Sequence, residues 1–177
     1  MIYFTADLHF GHDNIIRHTN RPFSSVPEMN ETIIENFNRS VGNNDTVFIL
    51  GDVAHRIDSE EANNLIRRLN GKKILIKGNH DLKYQADLFE KVANYLEVYY
   101  QRRLFCLMHY PLLAWHNNFK GSFMLHGHIH QRFDYNEENR KNRILRYDVG
   151  VDANNFRPVS AEEIISFFDG IISNPVF

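Results

Sequence analysis

The segment Ile2-Tyr3-Phe4-Thr5-Ala6-Asp7-Leu8-His9 contains an apolar run of strand length that ends directly in an acid and a histidine. The same arrangement returns at residues 46–52 and again at residues 73–81, with a polar amphipathic segment before each return. Nearly continuous apolar runs of this length are typical of strands that are covered on both faces. The first half of the chain therefore predicts strand–helix–strand–helix–strand, which is the pattern of a parallel α/β sheet.

Amphipathic periodicity predicts where the helices lie. Residues 27–39 and 58–69 each place apolar side chains on one stripe, and residues 83–93 form a weaker third candidate. A last helix is predicted to begin at Ser160, because Glu163 three residues later completes a capping box.

The second half of the chain is richer in strands. Residues 131–146 are polar, charged and aromatic, and they predict a projecting hairpin with a turn near residues 136–139. No linker or internal repeat is recognisable, so residues 1–177 are expected to form one domain. The further strands are predicted at residues 95–100, 104–108, 123–125 and 144–149.

The composition limits the classes of protein to which the chain can belong. With 177 residues, of which 43% are apolar, it can bury one core and is not expected to be disordered. A formal net charge of −2 gives no general reason to expect a nucleic acid or an anionic membrane as partner. Cys106 is the single cysteine, and neither a signal peptide nor a membrane-spanning stretch is recognisable, so we expect a cytoplasmic protein.

Side chains that bind metals follow five of the predicted strands. Strand ends in an α/β sheet converge on one edge, so segments far apart in the sequence can meet there. Imidazole nitrogen and carboxylate oxygen suit divalent manganese, iron, cobalt, nickel and zinc. The five segments are Asp7-Leu8-His9, Gly51-Asp52, Gly78-Asn79-His80-Asp81, His109 and Gly127-His128-Ile129-His130.

In their order and spacing these five motifs resemble the calcineurin-like metallophosphoesterase family. The resemblance covers residues 7–130, and Gly-Asn-His-Asp together with Gly-His-x-His makes it specific. With it we predict an α/β fold, a four-layer α-β-β-α sandwich of two mixed β-sheets flanked by helices. The resemblance implies two metal ions, one held by Asp7, His9, Asp52 and His130 and the other by Asp52, Asn79, His109 and His128.

The resemblance also implies a role for His80, which would not bind metal but would face the substrate and stabilise or protonate the leaving oxygen, with Asp81 orienting it. Two divalent ions carry four positive charges, of which Asp7 and Asp52 neutralise two, so the site favours an anionic ester. Such a pair of ions makes a bound water nucleophilic. We therefore predict hydrolysis of a phosphodiester or phosphomonoester by metal-bound hydroxide. The expected cofactors are two divalent transition-metal ions, with manganese preferred and iron, nickel, zinc or cobalt as alternatives.

Polar residues near the first motif are candidates for contacts with the substrate phosphate. His12 and Asn14 are placed for this role, but capping of a short helix by Asp13 or Asn14 explains them equally well. Arg17 could reach a phosphate from the same helix, although a solvated arginine is the simpler interpretation. His55 stands where many relatives have an acidic residue, and it is either an outer contact of the site or a polar loop residue.

Three other functions remain open at this point: a nuclease, a cyclic-nucleotide phosphodiesterase and a scaffold that has lost its metals. The complete set of expected ligands argues against a scaffold, and the near-neutral charge argues against a long polynucleotide. We expect a small phosphoester as partner, with nucleotides among the candidates, and no membrane. The predicted hairpin is either solvated or an oligomer contact, which leaves a homodimer open.

Overall fold

The computed structural model describes residues 1–81, 83–131 and 134–171, and in these ranges the strands form two mixed β-sheets. The first sheet contains β1 (Ile2–Thr5), β2 (Thr46–Ile49), β3 (Lys72–Ile76), β4 (Lys91–Ala93) and β9 (Val159–Ser160). Its spatial order is β4-β3-β2-β1-β9, and all neighbours are parallel except β9, which runs antiparallel to β1. The predicted parallel start of the fold is confirmed.

The second sheet contains β5 (Tyr95–Tyr100), β6 (Arg103–Met108), β7 (Phe123–His126) and β8 (Arg146–Asp148), in that order. Here β5 pairs antiparallel with β6, while β6, β7 and β8 are parallel. The predicted α/β sandwich of two mixed sheets with flanking helices is therefore confirmed.

Stacked phenylalanine rings join the inner faces of the two sheets. The Phe4 ring lies 5.6 Å from Phe48 in the first sheet and 5.4 Å from Phe105 in the second, measured between ring centroids. Phe105 in turn stacks on Phe123 at 5.0 Å. All four side chains are buried. Truncating any one of them to alanine should cost about 3–5 kcal/mol of stability.

Helices α1 (Asp13–His18), α2 (Val26–Ser40) and α3 (Ser59–Arg67) share a second apolar core with the outer face of the first sheet. The helices predicted at residues 27–39 and 58–69 are confirmed. The capping box predicted for α5 (Ala161–Phe167) is present, since Ser160 and Glu163 exchange hydrogen bonds. In the described part of the chain every helix is too short or too polar to cross a bilayer.

The helix predicted at residues 83–93 is wrong. The structure has a single 3₁₀ turn at Ala86–Leu88 and then β4, which pairs in parallel with β3. The apolar residues Leu88 and Phe89 of this segment are buried in the core where the chain turns. The ladder of backbone hydrogen bonds at the sheet edge outweighs a marginal helical preference.

The hairpin predicted at residues 131–146 is also wrong for the part that the structure describes, which excludes residues 132–133. Helix α4 (Tyr135–Lys141) occupies the place of the predicted turn. Acidic residues fill its first turn and basic residues its last, which suits the helix dipole. The Asn136 amide bonds both backbone groups of Asp148, so that α4 is attached to β8 instead of projecting.

Candidate metal centre

The loops after β1 and β2 run side by side and present the first candidate ligands. The Asp7 N–H donates to the carbonyl of Gly51, and the His9 N–H donates to the carbonyl of Asp52, both at 3.0 Å. Asp7, His9 and Asp52 all have positive φ angles, between 52° and 58°. His128 and His130 have φ angles of 73° and 50°. Non-glycine residues seldom adopt this conformation, and residues that do are concentrated at functional sites.

Gly51 allows the loops to approach each other. Its φ is +90°, and a Cβ atom built on it would lie 2.5 Å from the Gly78 nitrogen and 2.6 Å from Nδ1 of His109. Any other residue would push the loop after β3 or the histidine ring out of place. The short separation of three candidate segments therefore depends on the absence of a side chain here.

The first cluster consists of Asp7, His9 and His130, whose ligand atoms lie within 4.8 Å of one another. Asp7 and His9 are buried. Among the described residues, Oδ1 of Asp7 and Nε2 of His9 have no hydrogen-bond partner. Buried polar atoms without partners are costly, and a coordinated cation would satisfy both.

The protonation of the first cluster follows from its burial. Burial raises the pKa of Asp7 well above its ordinary value and lowers the pKa of His9. For His130, burial lowers the pKa, but the hydrogen bond to Asp152 and the charges of Asp152 and Asp7 outweigh it, so the pKa is raised. Nδ1 of His130 lies 2.9 Å from Oδ2 of Asp152, which leaves Nε2 for a metal ion.

The second cluster consists of Asp52, His109 and His128, whose ligand atoms also lie within 4.8 Å of one another. Nδ1 of His109 lies 2.8 Å from the carbonyl oxygen of Leu50. When that nitrogen donates, Nε2 carries a lone pair, and it lies 3.0 Å from Oδ1 of Asn79. A cation between the two atoms would let both act as ligands, whereas without one the amide can turn and donate its NH2 group to Nε2.

Asp52 lies between the two clusters. Its Oδ2 is 3.5 Å from Nε2 of His9 and 3.6 Å from Nε2 of His109. Ligand atoms that share one ion with bonds of about 2.1 Å are separated by about 3.0–3.5 Å. Its other oxygen, Oδ1, accepts a hydrogen bond from the His80 N–H at 2.9 Å. The donor set and its spacing therefore fit two divalent ions with one carboxylate between them.

Three histidine rings line the edge of the site next to the first cluster. The His80 ring packs against His55 at 4.2 Å, and His55 packs against His12 at 4.4 Å, measured between ring centroids. Nδ1 of His12 lies 3.2 Å from Nδ1 of His9. Burial lowers the pKa of His12 to about 4, so its ring is neutral at physiological pH. His55 is thus in contact with the site.

Asp81 has partners other than those that the sequence predicts. Its carboxylate accepts hydrogen bonds from the N–H groups of Asp52, Val53 and Gly78 at 2.7–3.1 Å. It also accepts one from the Tyr84 hydroxyl at 3.0 Å. Both carboxylate oxygens are therefore committed to joining the loop after β2 to the loop after β3.

The remaining predicted substrate contacts lie on α1. His12 is buried at the start of this helix, and Asn14 is half-buried in its first turn. The Arg17 side chain is 81% exposed, and its ion pair at 4.0 Å is with Asp13. The structure thus brings His12 to the site and leaves Arg17 mostly in solvent.

The two-sheet sandwich and its two His/Asp clusters have counterparts among known proteins. Residues 1–165 match the family model for calcineurin-like phosphoesterases. The chain is 36% identical over 171 residues to the uncharacterised protein MJ1445 of Methanocaldococcus jannaschii, covering 95% of this chain and 91% of that protein. It is 27% identical over 181 residues to the gene 66 protein of Mycobacterium phage D29, covering 86% of this chain and 88% of the phage protein.

A solved structure agrees with this match. The protein of unknown function AQ665 from Aquifex aeolicus superposes with a TM-score of 0.75 at 26% identity, covering 94% of this chain and 98% of that one. This chain belongs to the calcineurin-like phosphoesterase family, a family of metal-dependent phosphoesterases.

Proposed function

We propose that this chain hydrolyses a phosphoester at a pair of divalent transition-metal ions held by the two clusters. The observation that carries the proposal is the position of Asp52, whose Oδ2 lies 3.5 Å from His9 and 3.6 Å from His109. A carboxylate at this position can be shared by one ion in each cluster. Two ions held by these residues would supply a nucleophilic water and would stabilise charge on the phosphoryl oxygens.

Each ion would have a full set of side-chain ligands from loops at the strand ends. The donors are imidazole nitrogens, carboxylate oxygens and one amide oxygen, which suit manganese and its neighbours in the first transition row. The first ion would bind Asp7, His9, Asp52 and His130, and the second would bind Asp52, Asn79, His109 and His128.

The charge of this site favours an anionic substrate. Two divalent ions supply four positive charges, and Asp7 and Asp52 are the two carboxylates in the proposed ligand set. A net positive site attracts phosphate esters and disfavours neutral molecules. This argument supports a phosphoester without separating monoesters from diesters.

We assign proton transfer to the leaving oxygen to His80. Its N–H donates to Asp52, which ties its backbone to the shared ligand, and its ring packs against His55. A positioned general acid contributes about 10²–10⁴-fold to rate. Asp81 would act indirectly, because its bonds to three N–H groups and to Tyr84 hold the loop that carries His80.

Contacts with the rest of the substrate are proposed for the residues at the edge of the site next to α1. The neutral rings of His12 and His55 can each donate one N–H to a phosphate oxygen. Asn14 is close in sequence and half-buried. Arg17 would have to turn inward from solvent to contribute, so its contact is the weakest of the set.

The test is a matrix of metals and substrates on protein freed of metal by a chelator. Manganese, nickel, zinc and magnesium are each added and assayed with a bis-aryl phosphate, a mono-aryl phosphate and cyclic nucleotides. We expect turnover with at least one transition metal, in proportion to metal content, up to two ions per chain. Absence of turnover with every metal, together with absence of bound metal by elemental analysis, would contradict the proposal.

A further inference from the structure

Arg21 lies in the loop after α1, outside the proposed ligand set. Its side chain is fully buried, as is that of its partner Asp152. Nε and Nη2 donate to the two carboxylate oxygens of Asp152 at 2.9 and 2.8 Å. Nη2 also donates to the carbonyl of Asp7 at 2.8 Å, and Nη1 donates to the carbonyl of Leu8 at 3.0 Å. The fifth N–H has the Met29 sulfur at 3.4 Å. All five donors of this side chain therefore have partners.

These contacts connect Arg21 to two members of the first cluster. The Asp7 carbonyl belongs to a residue whose own carboxylate is in the cluster and whose φ is 58°. Asp152 connects Arg21 to His130, because Oδ2 of Asp152 lies 2.9 Å from Nδ1 of the His130 ring. Asp7 follows β1 in the first sheet, and His130 follows β7 in the second. One guanidinium thus spans the edge of the sandwich behind the cluster.

Asp152 lies between Arg21 and His130. Arg21 donates to both carboxylate oxygens of Asp152, and Nδ1 of His130 lies 2.9 Å from Oδ2 of the same carboxylate. A ligand histidine that donates its second N–H to a carboxylate has a fixed ring orientation and a more basic metal-binding nitrogen.

We propose that Arg21 is a positioning residue for the first cluster, acting through Asp152 on His130 and through a main-chain carbonyl on Asp7. This inference rests on the proposed function in that the cluster holds a divalent ion. Arg21 touches neither the ion nor the substrate. Its planar, five-donor shape is needed, because a lysine ammonium has three donors at one point and cannot reach the carboxylate and both carbonyls together.

The test is metal binding by Arg21→Lys, measured without any ester substrate. Cadmium-113 serves as the probe, because wild-type protein should give two resonances, one for each cluster, and two dissociation constants by chelator competition. We expect the dissociation constant of one site to rise about 10–100-fold in Arg21→Lys. The other site should stay within about threefold, and only one resonance should shift or broaden.

The matched control is Arg68→Lys, which changes an exposed arginine that pairs with Glu31 on the surface. It should leave both resonances and both constants unchanged. A second variant, Asp152→Asn, keeps the size of the side chain and removes its charge, and it should weaken the same site as Arg21→Lys. The unfolding midpoint of each metal-free variant is measured in parallel.

Two results would overturn the inference. One is a lower unfolding midpoint in Arg21→Lys with both constants unchanged, which would make Arg21 a purely structural residue. The other is unchanged cadmium binding by a folded Asp152→Asn, which stands even when Arg21→Lys does not fold. Wild-type protein that binds no metal would instead contradict the proposed function, so the two failures are distinguishable.

Discussion

The two clusters differ in what holds their histidines in place. His130 in the first cluster bonds to Asp152, a buried carboxylate that is itself paired with Arg21. In the second cluster, His109 bonds to the main-chain carbonyl of Leu50, and the neighbouring Asn79 is exposed. A charged and buried support orients a ligand more firmly than a neutral carbonyl does. The difference indicates that the histidines of the first cluster are held more firmly, and that the second cluster is more exposed at Asn79.

The largest expected effect is that of Asp52→Asn, which tests whether the clusters form one centre. Losing the shared carboxylate should weaken both ions and remove several kcal/mol of transition-state stabilisation, so that turnover falls about 10³-fold or more. Metal content is measured by elemental analysis beside the rate. Asp13→Asn, an exposed substitution, is the control. Loss of only one ion would show that Asp52 belongs to a single cluster.

A smaller loss of turnover is expected for His80→Asn, which separates proton transfer from metal binding. Turnover should fall about 10²-fold at the same metal content, because a general acid is lost while the ligand set is kept. The exposed His116, which pairs with Glu97, provides the control His116→Asn with an unchanged rate. Release of metal from His80→Asn would instead make His80 a ligand.

Histidines of the two clusters should differ in how much metal-dependent stability is lost when they are replaced. An ion at about 100 times its dissociation constant stabilises the fold by about 2.7 kcal/mol, which corresponds to about 5–10 °C in midpoint for a chain of this size. At limiting manganese, His130→Asn should lose more of this increase than His128→Asn. Thermal unfolding with stepwise addition of metal gives the comparison. Equal losses would mean that the two supports are equivalent.

A site residue is recognisable from the sequence when local sequence features determine its position in the fold. The proposed ligands were recognisable because each follows an apolar run, and strand ends of an α/β sheet meet at one edge. Arg21 carries no such signal, since its partners Leu8 and Asp152 are fixed only by the folded chain. His55 was ambiguous for the same reason, because its contacts with His12 and His80 join three loops.

The two wrong predictions about the fold, a helix at residues 83–93 and a hairpin at residues 131–146, have different physical origins. In β4, pairing with the neighbouring strand overrides a weak helical preference, and pairing partners are not written in the local sequence. In α4, a signal was present in the acidic first turn and basic last turn. The mixture of charged and aromatic residues also fits a solvated hairpin, which is why the sequence predicts one. The structure instead has a helix of seven residues that is bonded to β8.

The smallest predicted effect concerns Asp148, which is buried at the end of β8 behind the first cluster. Burial raises its pKa to about 7, so its contribution to stability is present at acidic pH and is lost as the pH rises towards 7. Asp148→Asn should therefore leave the unfolding midpoint of the metal-free protein almost unchanged at pH 4 and raise it by a few degrees at pH 8. Thermal unfolding at both pH values decides, and an equal shift at both would contradict this cause.

The most direct test of the dinuclear centre is a crystal structure of the manganese-loaded protein with anomalous scattering. We predict two anomalous peaks about 3.5–4 Å apart. One should be bound by Asp7, His9 and His130, the other by Asn79, His109 and His128, with the Asp52 carboxylate touching both. A single peak, or two peaks that Asp52 does not join, would contradict the account.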